Sequence, residues 1–152
     1  MEKTYSEDIY EIAMETFEMM CYMFPLDESE IEPGQEEAIE EGVIAFARFD
    51  GASEGALAIQ PAPELLEAIA LNMLGTDEAG LQEKEGALCE MVNIVCGNVA
   101  PFFSKDDQIC IIRPPKIAGE EENTDELFKG MNKEEILIHL DEGSARIIVY
   151  YS

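Results

Sequence analysis

Gly86-Ala-Leu-Cys-Glu90-Met-Val-Asn93-Ile-Val-Cys-Gly97-Asn98 is the stretch from which the rest of the chain can be read. It has the pattern of an amphipathic helix. At about 100° per residue, Gly86, Glu90, Asn93 and Gly97 fall on one narrow polar stripe. Leu88, Met91, Val92, Val95 and Val99 fall on the opposite face, at the i, i+3, i+4, i+7 spacing of a buried helix. The apolar face docks, and Glu90 and Asn93 point away from it. The two glycines keep the stripe low, so another backbone can come close. A Glu and an Asn three residues apart are, taken alone, usually a solvated face. The surrounding sequence decides whether they are more.

Upstream, Thr4 and Glu7 form a Thr-x-x-Glu capping box. Ile9, Ile12, Ala13, Thr16 and Met20 then keep a helical period to about Met20 or Tyr22, before Pro25. Residues 26–41 are the most acidic part and read as a loop around the Pro33-Gly34 turn signal. Val43–Phe49 and Ala56–Ile59 read as a hairpin across Asp50-Gly51 to Gly55. Pro61 and Pro63 punctuate the start of a helix carrying Leu65, Leu66, Ile69, Ala70, Met73 and Leu74, and Gly75 stops it. The Glu90–Asn93 helix should run from Gly80 or Leu81 to about Val99, with Pro101 as its stop.

Downstream, Gln108–Arg113 reads as a short strand closed by Pro114-Pro115. Gly119–Asn132 reads as a polar loop. Ile136–Leu140 and Ala145–Tyr151 form a hairpin across Asp141-Glu142-Gly143-Ser144. Strands arrive as adjacent hairpins and not as strand-helix-strand repeats. The expected fold is therefore α/β of the α+β type: a mainly antiparallel sheet covered by helices, in a single domain over residues 1–152. Only one Glu-x-x-Asn helix is present. The stretch Glu64–Asn72 also ends in Asn but has Ile69 where the Glu would stand.

Composition narrows the partners. The 34 acidic residues against 9 basic ones give a formal charge of −25, with 47% apolar residues and no Trp. That charge repels phosphate backbones and anionic bilayers, so neither nucleic acid nor membrane is expected as a partner. The N-terminal residues are acidic, with no secretory pattern, and no run of about 18 uncharged apolar residues occurs. A cytoplasmic location is the expectation. Cys21, Cys89, Cys96 and Cys110 show no metal spacing and are expected to be reduced thiols. His139, the single histidine, sits in a strand pattern without a partner motif. No Walker loop, zinc-ligand pattern or dinucleotide fingerprint is found.

Glu90-x-x-Asn93 in an apolar helix, with Gly97 after it and Pro114-Pro115 just beyond a strand, resembles the CheX/CheC family of chemotaxis phosphatases. That family's pattern is Ser or Asp, three residues, Glu, two residues, Asn, and a proline a little over twenty residues on. Glu90, Asn93 and Pro115 match, with Pro114 as the alternative register. Gly86 departs from it, standing where Ser or Asp is expected. The order of elements is similar over nearly the whole chain.

The resemblance implies a phosphatase acting on the aspartyl-phosphate of a CheY-like receiver domain in two-component signalling. It implies Asn93 as the group that orients a water, and Glu90 as the partner of a receiver lysine. Gly86, Glu90, Asn93, Gly97 and Pro115 would meet the receiver, with Pro115 shaping the adjoining loop. It implies no metal on this chain, Mg²⁺ supplied by the receiver, and a homodimer joined through the sheet. The alternative is a non-catalytic receiver-binding adaptor or scaffold on the same fold, as in the flagellar switch proteins that it resembles. An acidic dimeric scaffold unrelated to receivers is a third reading.

Overall fold

The computed structural model describes residues 5–51, 54–103 and 110–152. The chain runs α1 (Tyr5–Cys21), a 3₁₀ turn (Glu28–Glu30), α2 (Gln35–Ile39), β1 (Ala45–Asp50), β2 (Gly55–Pro61), α3 (Pro63–Leu74) and α4 (Leu81–Val99). A second 3₁₀ turn (Ala100–Phe103) leads on to β3 (Ile111–Ile112), β4 (Lys116–Ile117), α5 (Thr124–Leu127), β5 (Asn132–Leu140) and β6 (Gly143–Tyr151). One sheet has the order β3-β1-β2-β6-β5, with β4 pairing β1 beside β3. Every pairing is antiparallel. The α+β architecture read from the hairpin pattern is the one observed.

Strand alternation explains the layers. Ala45, Ala47, Phe49, Leu57, Ile59, Ile138, Ile147 and Val149 face the helices and form the main core with α1, α3 and α4. Leu88, Met91, Val92, Val95 and Val99 of α4 are all fully buried there, as their spacing requires. Phe46, Ala56, Ala58, Ile148 and Tyr150 alternate to the other face and form a smaller cluster under Phe128.

Helix ends follow local chemistry. Pro63 occupies the first turn of α3, where its missing N–H costs nothing. Gly75 ends that helix with a left-handed φ of 68° and its N–H donating to Leu71 O at 2.9 Å. Glu83 reaches back to accept from the Gly80 N–H at the start of α4. α1 ends differently. Tyr22, not a glycine, takes the left-handed conformation at φ 57°, which costs about 1 kcal/mol. Asn72 Nδ2 donates to Cys21 O at 2.7 Å and holds that end. The Asn that lacked a Glu partner in the sequence thus serves as a structural tie.

The sequence expectations need four amendments. Residues 26–41 contain a 3₁₀ turn and the short α2, whose buried Ile39 packs beneath an otherwise acidic segment. Pro101 does not end the helical path abruptly, because the chain continues as a 3₁₀ turn through Phe103. Beyond Pro115 a further strand, β4, forms against β1. The polar loop 119–132 contains α5, whose Thr124 and Phe128 are buried, and Asn132 already belongs to β5. The Tyr150 hydroxyl holds α5 by hydrogen bonds to Thr124 Oγ1 and Asp125 Oδ1, both at 2.8 Å. Thr4 of the capping box, and Gln108 at the start of the expected strand, lie outside the described residues.

The two faces of α4 predict opposite mutational signs. Leu88→Ala should lower stability by about 2–5 kcal/mol, because it empties a fully buried site. Gly86→Ala should raise it by about 0.5–1 kcal/mol, because a Cβ there meets nothing within 4 Å and the helix interior favours Ala. Urea unfolding of both variants checks the pair. Loss of stability in Gly86→Ala would contradict the placement of that stripe in open solvent.

Candidate functional site

α4 is anchored by its apolar face between α1, α3 and the sheet, so its polar stripe has a fixed direction. Glu90 and Asn93 are both exposed. Neither side chain has a hydrogen-bond or ion-pair partner among the described residues. They share an open cleft of about 380 Å³ with Gly86, Cys89, Ile112, Pro114 and Pro115. The edge of the sheet supplies the opposite wall. β3 and β4 both pair with β1, and the two prolines bridge the gap between them. A proline lacks the N–H for a ladder bond, so this pair breaks the edge into two short strands and turns its rings towards α4.

Four of the five sequence-predicted residues therefore come together: Gly86, Glu90, Asn93 and Pro115. The fifth, Gly97, lies one turn further along, where an added Cβ would sit 3.7 Å from Ile112 Cδ1. Its low profile serves the approach of β3 to the helix. Gly86 has open space above it, and a serine or aspartate side chain would fit there without disturbing the fold. Cys89 and Ile112 were not predicted as site residues, and Pro114, the alternative register, lines the cleft together with Pro115. Cys89 could have been found from its i, i+4 relation to Asn93. Ile112 could not, since it is brought in by strand pairing.

The chemistry of the cleft is sparse. Burial first, and the charge of Glu85 second, push the Cys89 thiol above its ordinary range. Both effects favour the thiol over the thiolate, the form a nucleophile needs. Cys96 is in the core, its thiol pushed up to about 12, chiefly by burial. His139 lies elsewhere, its Nδ1 2.7 Å from Ser144 Oγ. Among the described residues no three His, Cys, Asp or Glu side chains gather to hold a metal ion. Gly51-Ala-Ser53-Glu-Gly55 has the letters of a serine-hydrolase elbow. It joins two strands of a hairpin and not a strand to a helix, and residues 52 and 53 lie outside the described residues.

Other depressions border α4 or lie near the sheet. A groove of about 410 Å³ between α1 and α4 is walled by Ile12, Thr16, Met19, Met20 and Ile94. A larger one, about 520 Å³, opens at α2 and is rimmed by Glu30, Glu32, Glu64 and Asp141. Its carboxylates would repel an anionic substrate. Residues Leu81–Phe103 are long and apolar enough to cross a membrane by length and composition, but half of that stretch is buried inside the domain.

Solved structures resemble this chain over nearly its full length. CheX from Vibrio vulnificus is 16% identical, with 99% of this chain and 97% of that one covered and a TM-score of 0.71. A CheX from Desulfovibrio desulfuricans is 13% identical, with 97% and 99% covered and a TM-score of 0.72. The CheX-CheY-BeF3-Mg²⁺ complex from Borrelia burgdorferi matches at 17% identity, 99% of each chain and a TM-score of 0.70. At such identities the likeness establishes the fold. No curated protein matches the sequence. The family model for chemotaxis phosphatase CheX matches residues 43–139, which contain β1 to β4, the whole of α4 and both prolines. The chain belongs to the CheX family of chemotaxis phosphatases.

Proposed function

We propose that this protein hydrolyses the aspartyl-phosphate of a CheY-like receiver domain, with Asn93 orienting the attacking water and Glu90 pairing with a receiver lysine. One observation carries the reading. Glu90 and Asn93 stand side by side on a rigid helix, exposed, unpartnered among the described residues, and facing an open cleft beside Pro115. The family membership and the CheY-bound Borrelia relative support it.

An acyl phosphate is already activated, so hydrolysis needs a placed nucleophile and stabilised charge more than a strong base. The water oxygen bonds to phosphorus as the bond from phosphorus to the aspartyl oxygen breaks. The carboxylate leaves, and the proton shed by water passes to the released phosphate or to solvent. An Asn amide both donates and accepts, so it can fix that water in line without acting as a base. Glu90 can accept a charge-assisted bond from an ammonium and set the register of α4 on the receiver. Mg²⁺ would neutralise the phosphoryl oxygens and would be held by the receiver, since among the described residues Glu90 belongs to no cluster of metal ligands.

The same reading takes the chain as one domain, acting in the cytoplasm as a homodimer. β5 is the outer strand of the sheet. Leu26 N–H donates to His139 O at one end, and the remainder of that edge can pair with a second copy. A non-catalytic adaptor is the second reading, favoured by one feature: Gly86 provides no side chain where the family has Ser or Asp.

Asn93→Ala should cut phosphate release from a phosphorylated receiver by about 10²-fold or more while leaving receiver binding intact. Its stability should change by less than about 0.5 kcal/mol, since the side chain packs on nothing. Stopped-flow dephosphorylation and thermal melts measure the two. Wild-type turnover in this variant would remove Asn93 from the mechanism.

Glu90→Ala should weaken both receiver affinity and turnover, by about 1.5–3 kcal/mol in binding. Glu90→Lys should weaken them further, because it places a cation against the receiver lysine. Calorimetric titration tests the order, and equal affinity in all three proteins would make Glu90 a solvated surface group.

Chelating Mg²⁺ should stop hydrolysis without changing the melting temperature of this protein alone. The isolated chain should sediment as a dimer and should not cleave simple phosphate esters. Ester hydrolysis by the purified chain, or metal retained after dialysis, would place the machinery on the wrong partner.

A further inference from the structure

A phosphorylated receiver presents a dianionic phosphoryl group beside metal-binding carboxylates. The chain proposed to approach it carries a formal charge of −25. Over distances beyond the screening length of about 8 Å the charge is muted, but at contact two acidic surfaces oppose docking. Productive binding therefore needs local cations near α4.

The sheet edge supplies them. Three of the nine basic residues, Arg48, Arg113 and Lys116, line one cleft of about 430 Å³ on the outer side of β1, β3 and β4. Asp50 and Glu54 also line that cleft and Glu122 sits beside Lys116, so carboxylates match the cations in number and what distinguishes the cleft is which cation is left unpaired. Pro114 lines this cleft and the Glu90–Asn93 cleft alike, which makes them neighbours across a single proline ring.

The three cations are not equivalent. Arg113 Nε is 2.8 Å from Asp50 Oδ2, and Lys116 Nζ is 3.1 Å from Glu122 Oε2. Arg48 has no carboxylate partner among the described residues. Its guanidinium lies 4.9 Å from the centre of the Phe128 ring, exposed on one side and stacked on the other. A stacked guanidinium is held in place while its N–H donors stay available. The field of the cluster is felt nearby. Glu122 is held below the usual carboxylate range first by the Gly119 N–H and the Lys116 hydrogen bond, with the charges of Lys116 and Arg48 adding to them.

We propose that the Arg48–Arg113–Lys116 cleft is a second contact surface for the receiver, with Arg48 as its anchor for acidic side chains at the rim of the phosphorylation site. The inference rests on the receiver-phosphatase reading and extends it from the α4 stripe, round Pro114, to the far side of the sheet edge. The cleft contributes affinity and charge compatibility, while the chemistry stays with Asn93. Rim charges of this kind act mainly on association and on its salt dependence.

The test uses the full chain and a CheY-type receiver loaded with Mg²⁺ and beryllofluoride. Backbone amide resonances of residues 46–50, Arg113 and Lys116 should shift on binding, together with those of Gly86 and Asn93. Arg48→Glu should weaken binding at least five-fold and make it rise more steeply with added salt, and Arg48→Lys should recover part of the loss. With the phosphorylated receiver, Arg48→Glu should raise the half-saturating concentration by the same factor and leave the maximal rate within two-fold. Arg48→Gln, in which no charge is reversed, keeps the test valid if the glutamate variant melts early. Shifts confined to α4, with unchanged affinity in Arg48→Glu and Arg48→Gln, would overturn the cleft and leave the phosphatase reading standing. A receiver that binds at the cleft but loses no phosphate would uphold the cleft and overturn the phosphatase. No binding by any receiver would overturn both.

Discussion

Burial of the apolar face of α4 is the constraint on which the rest depends. Leu88, Met91, Val92, Val95 and Val99 are removed from water between α1, α3 and the inner face of the sheet. Each such side chain contributes about 1.5–3 kcal/mol on burial. Their removal from water fixes the rotation of the helix about its own axis. Because the polar stripe is the geometric complement of that face, docking the core also aims Glu90 and Asn93. No hydrogen bond of their own is needed to hold the backbone there, and their side chains remain open to a partner.

The sheet edge is the second half of the site, and a local irregularity makes it. β1 is covered along its outer side by β3 and β4, which a continuous strand would have joined. Pro114-Pro115 cannot supply the missing ladder donors. The interruption leaves the prolines, with Ile112, opposite the α4 stripe. The opposite edge of the sheet runs along β5, where Leu26 N–H donates to His139 O and Pro25 bridges to Leu140.

Charge divides in the same way. The domain as a whole is strongly acidic, which favours solubility and disfavours anionic partners. Against that background Arg48, Arg113 and Lys116 stand out because β1, β3 and β4 converge, and no local sequence run is basic. Arg48 and Arg113 are 65 positions apart in the chain, yet Arg113 N–H donates to Arg48 O at 2.8 Å.

What the amino-acid sequence determined by itself was everything governed by short-range periodicity. The hairpins, the α+β class, the span of α4 and the outward direction of Glu90 and Asn93 follow from patterns within about twenty residues. The signal is strong because one face of each element must be apolar at its own period. Local turn chemistry likewise marked Gly75 and Pro63 correctly. Tertiary structure alone decided the rest. α2 and α5 are too short to show a period, and they form where the fold buries Ile39 and sets Phe128 against the outer face of the sheet. β4 has two residues and forms only because β1 offers an edge. The wall of the cleft, Gly97 as a seat for Ile112, and the meeting of three distant cations depend on strand pairing. Pairing joins positions far apart in the chain, and no window along the sequence contains both partners.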